Sequence, residues 1–414
     1  MSTPGRLATL QHRDFRLLLF MQLTSSMREP TLFITQAWYV NEAAAESQRL
    51  LMLGLLSGLR GAAFLSYTLF GGTFADRFPR TRVLTISHIV GLASVLIVGG
   101  LLTFPAVSNG EGPWLLVMLV MFASFGLISG QDQPTRSAMI RDSVPAHLLT
   151  RAITQHQLVM SLALLIVAPL AGLSVERLGF ATTYLIAGLG HVAVLLALTR
   201  ISSRLASDPD AARESVLSNL RAGIAVLRTD AVVRWTVLST WGVTALGLSV
   251  MGGLISAWVS EILDLDASGW GVLVVFWGIG GIVASLWLSV RSDVRHIGAG
   301  FLVACVLIGV AVLGFSLSRI VIAAFLFNGM VGFSHQLVLT FSTTLVQRQV
   351  PNRLLGRVTG LLMLAGGLMQ IAGLGAGLLA QALGLEVVYS AAGISIIVLM
   401  LVIAARQRPL REAT

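Results

Sequence analysis

Val144-Pro145-Ala146-His147-Leu148-Leu149-Thr150-Arg151 recurs without gaps as Val350-Pro351-Asn352-Arg353-Leu354-Leu355-Gly356-Arg357. The Val, the Pro, both Leu and the final Arg are identical, and the offset of 206 is about half of the 414-residue chain. A segment repeated at half-length indicates two copies of one unit, provided each copy sits at the same place in its unit. Both do, because each follows the fourth long apolar run of its half.

Those runs set the architecture. A hydrocarbon core needs about 20 apolar residues per helix, and twelve segments supply them: 17–41, 50–74, 83–104, 113–131, 153–175, 180–200, 235–260, 268–290, 297–317, 320–346, 358–383 and 386–405. They are apolar on nearly all helical faces, unlike the short alternating segments of a membrane barrel. Composition agrees: 55% of residues are hydrophobic, 11% are charged and the mean hydropathy is +0.84, against about 25% charged in an ordinary soluble domain. The expectation is an all-α integral membrane protein with twelve transmembrane helices in two six-helix repeats. Residues 1–200 form the N-terminal bundle, 201–234 a linker and 235–414 the C-terminal bundle. The first run has no small-residue cleavage site after a short apolar core, so it reads as a retained membrane helix.

Every one of the 28 basic residues is arginine, and the net charge is +9. Most fall in alternate loops shared with both termini, in groups such as Arg77, Arg80, Arg82 and Arg348, Arg353, Arg357, while Arg49, Arg177 and Arg319 hold the opposite loops. Cytoplasmic loops are arginine-rich, so both termini are expected in the cytoplasm, with the chain in the inner (plasma) membrane. Trp38, Tyr39, Trp114, Trp258 and Trp270 end their runs on the other side, where rings favour the headgroup region. The linker opens with polar residues and continues as an amphipathic helix from Ala211 to Arg228, with Val216, Leu220, Ile224 and Leu227 at helical spacing.

Several chemistries are disfavoured. Arginines distributed between apolar runs do not make a nucleic-acid face. One cysteine, Cys305, gives neither an intramolecular disulfide nor a zinc framework. Without lysine there is no Walker lysine, and no protease or hydrolase motif occurs. Gly373-Leu374-Gly375-Ala376-Gly377 reads as close helix packing. Neither an enzyme nor a cofactor is expected.

Charges at bilayer depth are costly and mark function by default. The first run holds Arg28-Glu29-Pro30, where Pro30 removes a backbone hydrogen bond. Glu29 and Arg60 lie at depths differing by roughly 3 Å at 1.5 Å per residue. The expectation is a buried pair, with Glu29 or Arg28 toward a cavity and Arg60 as partner. For proton coupling, desolvation of Glu29 and a neighbouring arginine act in opposite directions. Alternation of Arg60 between partners would couple them, whereas a permanently ionised structural pair is the plain alternative. Gln22, Ser26, Gln36, Asn328, His335, Gln336 and Thr340 are candidate polar groups for a solute, and Trp241 a candidate apolar wall. His335 can titrate near neutrality, or simply be a satisfied structural histidine.

Between runs two and three the chain reads Gly71-Gly72-Thr73-Phe74-Ala75-Asp76-Arg77-Phe78-Pro79-Arg80-Thr81-Arg82-Val83-Leu84. A carboxylate at a helix terminus is stabilised by exposed N–H groups and nearby arginines. Asp76 is therefore a candidate conformational latch with Gly72, Arg77, Arg80 and Arg82, and with Asp132 and Arg136 at the end of run four. A solvated loop that only sets topology, with a local surface network beside it, is the alternative. The segment resembles the major facilitator superfamily, whose corresponding loop reads Gly, three residues, Asp-Arg and a basic cluster; Pro79 and Thr81 depart from that pattern. Within it the chain is similar to the macrolide and siderophore exporter branch, through the polar break in run one, the Ala75-Asp76-Arg77-Phe78 loop and Pro134-Thr135-Arg136-Ser137-Ala138-Met139-Ile140 before Val144-Pro145. Ala168-Pro169-Leu170-Ala171-Gly172 is similar to the exporters' Gly-Pro pattern, with Ala168 where Gly is usual.

The resemblance implies alternating access, with runs one and ten lining the cavity and the loop Asp docking against the other half. It also implies proton-coupled efflux of small amphiphilic compounds, such as drugs or siderophores. The expected partners are a small-molecule substrate, protons and membrane lipid, for a monomeric protein. The alternatives are an importer, a lysophospholipid flippase, or a non-transporting receptor or scaffold. The last is disfavoured by midplane charges that a static scaffold has little use for.

Overall fold

The computed structural model describes residues 8–68, 78–201, 216–290 and 296–413, and these are helical apart from short connections. The twelve spans are α1 (Arg13–Ala43), α2 (Arg49–Ser66), α3 (Arg80–Leu101), α4 (Trp114–Ser143), α5 and α6 (149–178 and 180–198), α7 (Ala231–Gly253), α8 (Ala267–Val290), α9 (Ile297–Leu317), α10 (Val321–Gln349), α11 (Asn352–Leu383) and α12 (Leu385–Arg406). Helices α5 and α6 run as one hydrogen-bonded stretch, Leu149–Leu198, broken at Gly179 (φ 76°). An unbroken helix of 50 residues would extend about 75 Å at 1.5 Å per residue, more than twice the bilayer core. Only glycine adopts the backbone at Gly179 without strain.

Nine helices among the described residues are long and apolar enough by hydropathy to cross a membrane, one of them the joined α5–α6 stretch. Helix α1 falls below that level because it carries Arg28 and Glu29 in mid-span, and the apolar part of α4 is Trp114–Leu127. Helix α4 continues to Ser143, twelve residues past the expected end at 131, so Asp132 and Arg136 lie within it.

The repeated octapeptides have the same backbone. Val144 (φ −136°, ψ 154°) and Val350 (φ −100°, ψ 128°) are both extended, as residues before proline must be. Pro145 and Pro351 then start the next helix from nearly identical angles, φ −58° and −57°. One sequence signal thus turns α4 into α5 and α10 into α11.

The two groups of six helices meet along α2–α11 and α5–α8, from the face opposite the termini to past the middle. Gly54 lies against Gly377, Gly58 against Leu374 and Gly271 against Ala168 and Pro169, where an added Cβ would fall within 3 Å of the facing helix. Small residues allow this close approach. Asn41–Ser260 (3.0 Å), Ser57–Gln370 (2.9 Å) and the Arg49–Glu261 ion pair (3.0 Å) join the halves in the same region. Among the described residues α4 does not pack extensively against α10 or α11, and Gly356 and Gly360 of α11 face open space. Among the described residues the halves are therefore joined mainly away from the face that carries the termini.

Trp38, Tyr39, Trp258 and Trp270 do not form a headgroup belt; they are buried. Helices of both halves crowd together at that level, so the rings wedge between them, with Trp258 4.5 Å from Tyr389 and Trp270 5.8 Å from Phe33 between ring centroids. Only Trp114 of the five is partly exposed. The linker helix is Val216–Thr229, and Leu220 and Leu227 pack against the α7–α11 cluster, whereas Ile224 is exposed. Residues 202–215 of the linker lie outside the described residues.

Candidate functional site

Arg28 projects from α1 into the middle of the first six helices, and two glycines make room there. Gly190 of α6 lets the α1 backbone close in, its missing Cβ position being 3.2 Å from Arg28 Cβ, and Gly91 of α3 accommodates the His191 ring. Arg28 Nη2 donates to Asp132 Oδ2 of α4 at 3.2 Å. Arg136, one turn further on, pairs with the other carboxylate oxygen at 3.0 Å and donates from Nη1 to the Met21 carbonyl of α1 at 2.9 Å. Ser25 Oγ donates to Asp132 as well, at 3.3 Å. All three charged side chains are almost fully buried. A buried charge is tolerated when paired and hydrogen-bonded, and this one carboxylate serves two arginines.

Two histidines complete the cluster. His88 of α3 turns Nε2 to Asp132 Oδ1 at 3.4 Å, and its Nδ1 lies 3.0 Å from Nδ1 of His191. Two ring nitrogens that close share a single proton between them. Arg28 Nη1 is 3.4 Å from both rings, and His191 Nε2 is buried with no hydrogen-bond partner. Neither histidine belongs to a motif in the sequence. Their positions inside runs 83–104 and 180–200 were the available signal, because the depth argument applied to Glu29 applies equally to them.

Two arginines against one aspartate leave an excess positive charge, and Glu29 is the remaining carboxylate at its edge, 3.6 Å from Arg28. Consecutive helical residues diverge by about 100°. Arg28 therefore points into the bundle while Glu29, its side chain 45% exposed, lies on the stripe Gln22–Ser26–Glu29–Phe33–Gln36. Phe33, one turn from Glu29 on that stripe, meets Trp270 of the second half, so this level of α1 borders the other half.

The expected grouping of Arg28, Glu29 and Arg60 is corrected in one respect. Arg60 bonds neither of the other two: Nη2 donates to Gln36 Oε1, and the guanidinium lies 5.1 Å from the Phe33 ring centroid. Equal depth did not mean a shared face, and the partner of Arg28 is Asp132. The latch grouping changes likewise. Asp132 and Arg136 belong to the buried cluster, Arg80 pairs with Asp142 of the same half at 2.6 Å, and Arg82 is exposed. Gly72, Asp76 and Arg77 lie outside the described residues.

The expected solute contacts are divided by the structure. Gln22 donates to Ser26 at 2.8 Å and Gln36 to Tyr184 Oη at 2.6 Å. Asn328 and Trp241 tie helices together instead, donating to the carbonyls of Leu273 (2.6 Å) and Leu361 (2.9 Å). His335, Gln336 and Thr340 are half-buried on α10, with His335 edge-on to Trp277 at 5.6 Å. An apolar groove of about 290 Å³ lies between α1 and α5, lined by Leu19, Phe20, Leu23, Val159, Leu162 and Ile166.

Twelve spans in two repeats, joined mainly toward one face, with a buried charge cluster in the first half, define a helical membrane carrier. The sequence profile of the Major Facilitator Superfamily matches residues 18–374, and the chain belongs to that superfamily of transporters. Among proteins of curated function, none matches significantly. Similar solved structures include a POT family transporter in complex with a thioalcohol-conjugated peptide (13% identity, TM-score 0.74, 96% of each chain covered). Another is a POT family transporter in complex with 5-aminolevulinic acid (14% identity, TM-score 0.74, 96% of each chain). A third is a bacterial homologue of the human lysosomal transporter Spinster in an inward-facing, unoccupied conformation (16% identity, TM-score 0.66, 98% of this chain and 96% of that one). At these identities the likeness is one of fold.

Proposed function

We propose that the protein is a secondary transporter that alternates access between its six-helix halves and couples proton uptake to efflux of small amphiphilic compounds. The observation that carries this is the placement of Glu29. It balances a buried cluster of excess positive charge, yet its side chain is partly exposed, one turn from the contact of Phe33 with the other half. A proton gained or lost there changes the local charge by one unit, while Arg28 stays held by Asp132. The pairings of Asp132 with Arg28 and Arg136 supply the rigid support such a site needs. Transport of a small solute is in keeping with the solved relatives, some of which are described with small molecules bound. The outward direction rests on the exporter-like segments 71–84 and 134–145. The apolar groove beside α1 favours a lipid-like substrate as a second reading.

Proteoliposomes loaded with a panel of fluorescent amphiphiles and siderophores test the proposal. Gradient-driven flux is expected for the natural protein and is expected to be lost in Glu29→Gln, while solute exchange without a gradient persists. Flux that survives both Glu29→Gln and collapse of the gradient would remove proton coupling through Glu29.

A further inference from the structure

Within the membrane-spanning part of the first half, the charges at Arg28, Glu29, Asp132 and Arg136 balance among themselves, and Arg60 stands apart from them. It is buried, and among the described residues its guanidinium forms no ion pair with a carboxylate. Its described polar contact is the neutral Gln36, itself held by Tyr184. A cation with no carboxylate among the described residues is costly at this depth, a cost that an anion would relieve. Arg60 also lies at the seam between the halves. Ser57, one turn along α2, bonds Gln370 of α11, and Phe33 beneath the guanidinium touches Trp270 of α8.

We infer that Arg60 is the anion-recognition point of the transport site, taking the carboxylate of an aromatic or otherwise apolar monoanion whose body lies against Phe33. This rests on the transporter reading and narrows its substrate class. A planar guanidinium already fixed at one nitrogen by Gln36 keeps its other donors free to grip a carboxylate. The partly exposed Phe33 ring offers an apolar face, and Trp270, buried in the seam, packs on its edge from the other half. Separation of the halves would withdraw Trp270 from Phe33 and loosen the site.

Binding of 2-naphthoate and of its neutral amide to the full chain in phosphatidylcholine nanodiscs, read by tryptophan fluorescence, tests this. The natural protein is expected to prefer the naphthoate. Arg60→Gln should weaken it roughly tenfold or more, as loss of a charged hydrogen bond does, and leave the amide within about twofold. Gln36→Glu guards against misfolding, since it supplies an internal carboxylate of the same shape and should abolish the preference for naphthoate with Arg60 intact. Equal binding of the two probes by the natural protein, equal loss of both in Arg60→Gln, or unchanged naphthoate binding in either variant would overturn the inference. Displacement of naphthoate by phosphatidylglycerol would assign the cation to a lipid headgroup and overturn it too. Charge-selective binding without gradient-driven flux would sink the coupled-transport reading alone, and flux without charge selectivity would sink the anion site alone.

Discussion

Replacing Asp132 by Asn would leave Arg28 and Arg136 facing one another in an apolar interior with no carboxylate between them. Removing one partner of a buried pair costs roughly 3–5 kcal/mol, so a large fall in the melting temperature of the detergent-solubilised protein is expected. Combining Asp132→Asn with Arg28→Gln removes one of the two stranded charges, leaving Arg136 on the Met21 carbonyl, and should recover part of that loss. If the double variant melts no higher than the single one, the Arg28–Asp132 contact is not what holds the cluster. Sequence alone could say that Arg28, Glu29 and Arg60 were expensive, because cost follows from depth. It could not say who pairs with whom, because pairing depends on which helix lies against which, and α1 meets α3, α4 and α6 at Arg28 but α2 at Gln36.

At the level of the helix, Asp266 shows how an end is fixed. Its carboxylate accepts from the Gly269 amide at 2.9 Å and from Ser268 Oγ at 2.6 Å, capping α8 where that helix meets α5. These donors hold its carboxyl below the ordinary aspartate range. A depressed value means the cap stabilises the fold above the unfolded aspartate value of about 3.9 and is lost as pH falls through the folded value. Asp266→Ala should therefore cost about 1 kcal/mol at neutral pH, a usual figure for an N-cap. The difference from the natural protein should shrink in melts taken at progressively lower acid pH. A difference independent of pH would assign the effect to packing. Helix ends of this kind were only roughly legible beforehand: hydropathy located the spans, but α4 continues well past residue 131 because Asp132 and Arg136 are buried against α1 and α3.

For the molecule as a whole, closure on the face opposite the termini yields a direct test. A Cβ built on Gly253 of α7 would stand 3.4 Å from Ser57 Cβ of α2, close to the disulfide spacing of about 3.8 Å. With Cys305 replaced by Ala, Ser57→Cys with Gly253→Cys should cross-link readily on oxidation and stop turnover, and reductant should restore it. Turnover that continues at full cross-linking would mean these two helices need not separate during transport.

The twelve spans, the duplication and the positions of the costly charges were determined by the sequence alone, because hydrophobic run length, repetition and depth are properties of a single strand of chain. Tertiary structure alone decided that Asp132 is the buried partner of Arg28 and Arg136, that His88 and His191 join them, that four outer aromatics pack inside, and that Arg60 meets no carboxylate among the described residues. Each of these depends on the rotation of one helix about its axis relative to its neighbours. In a bilayer that rotation is set by close packing between helices and not by hydropathy, which is nearly the same on every face.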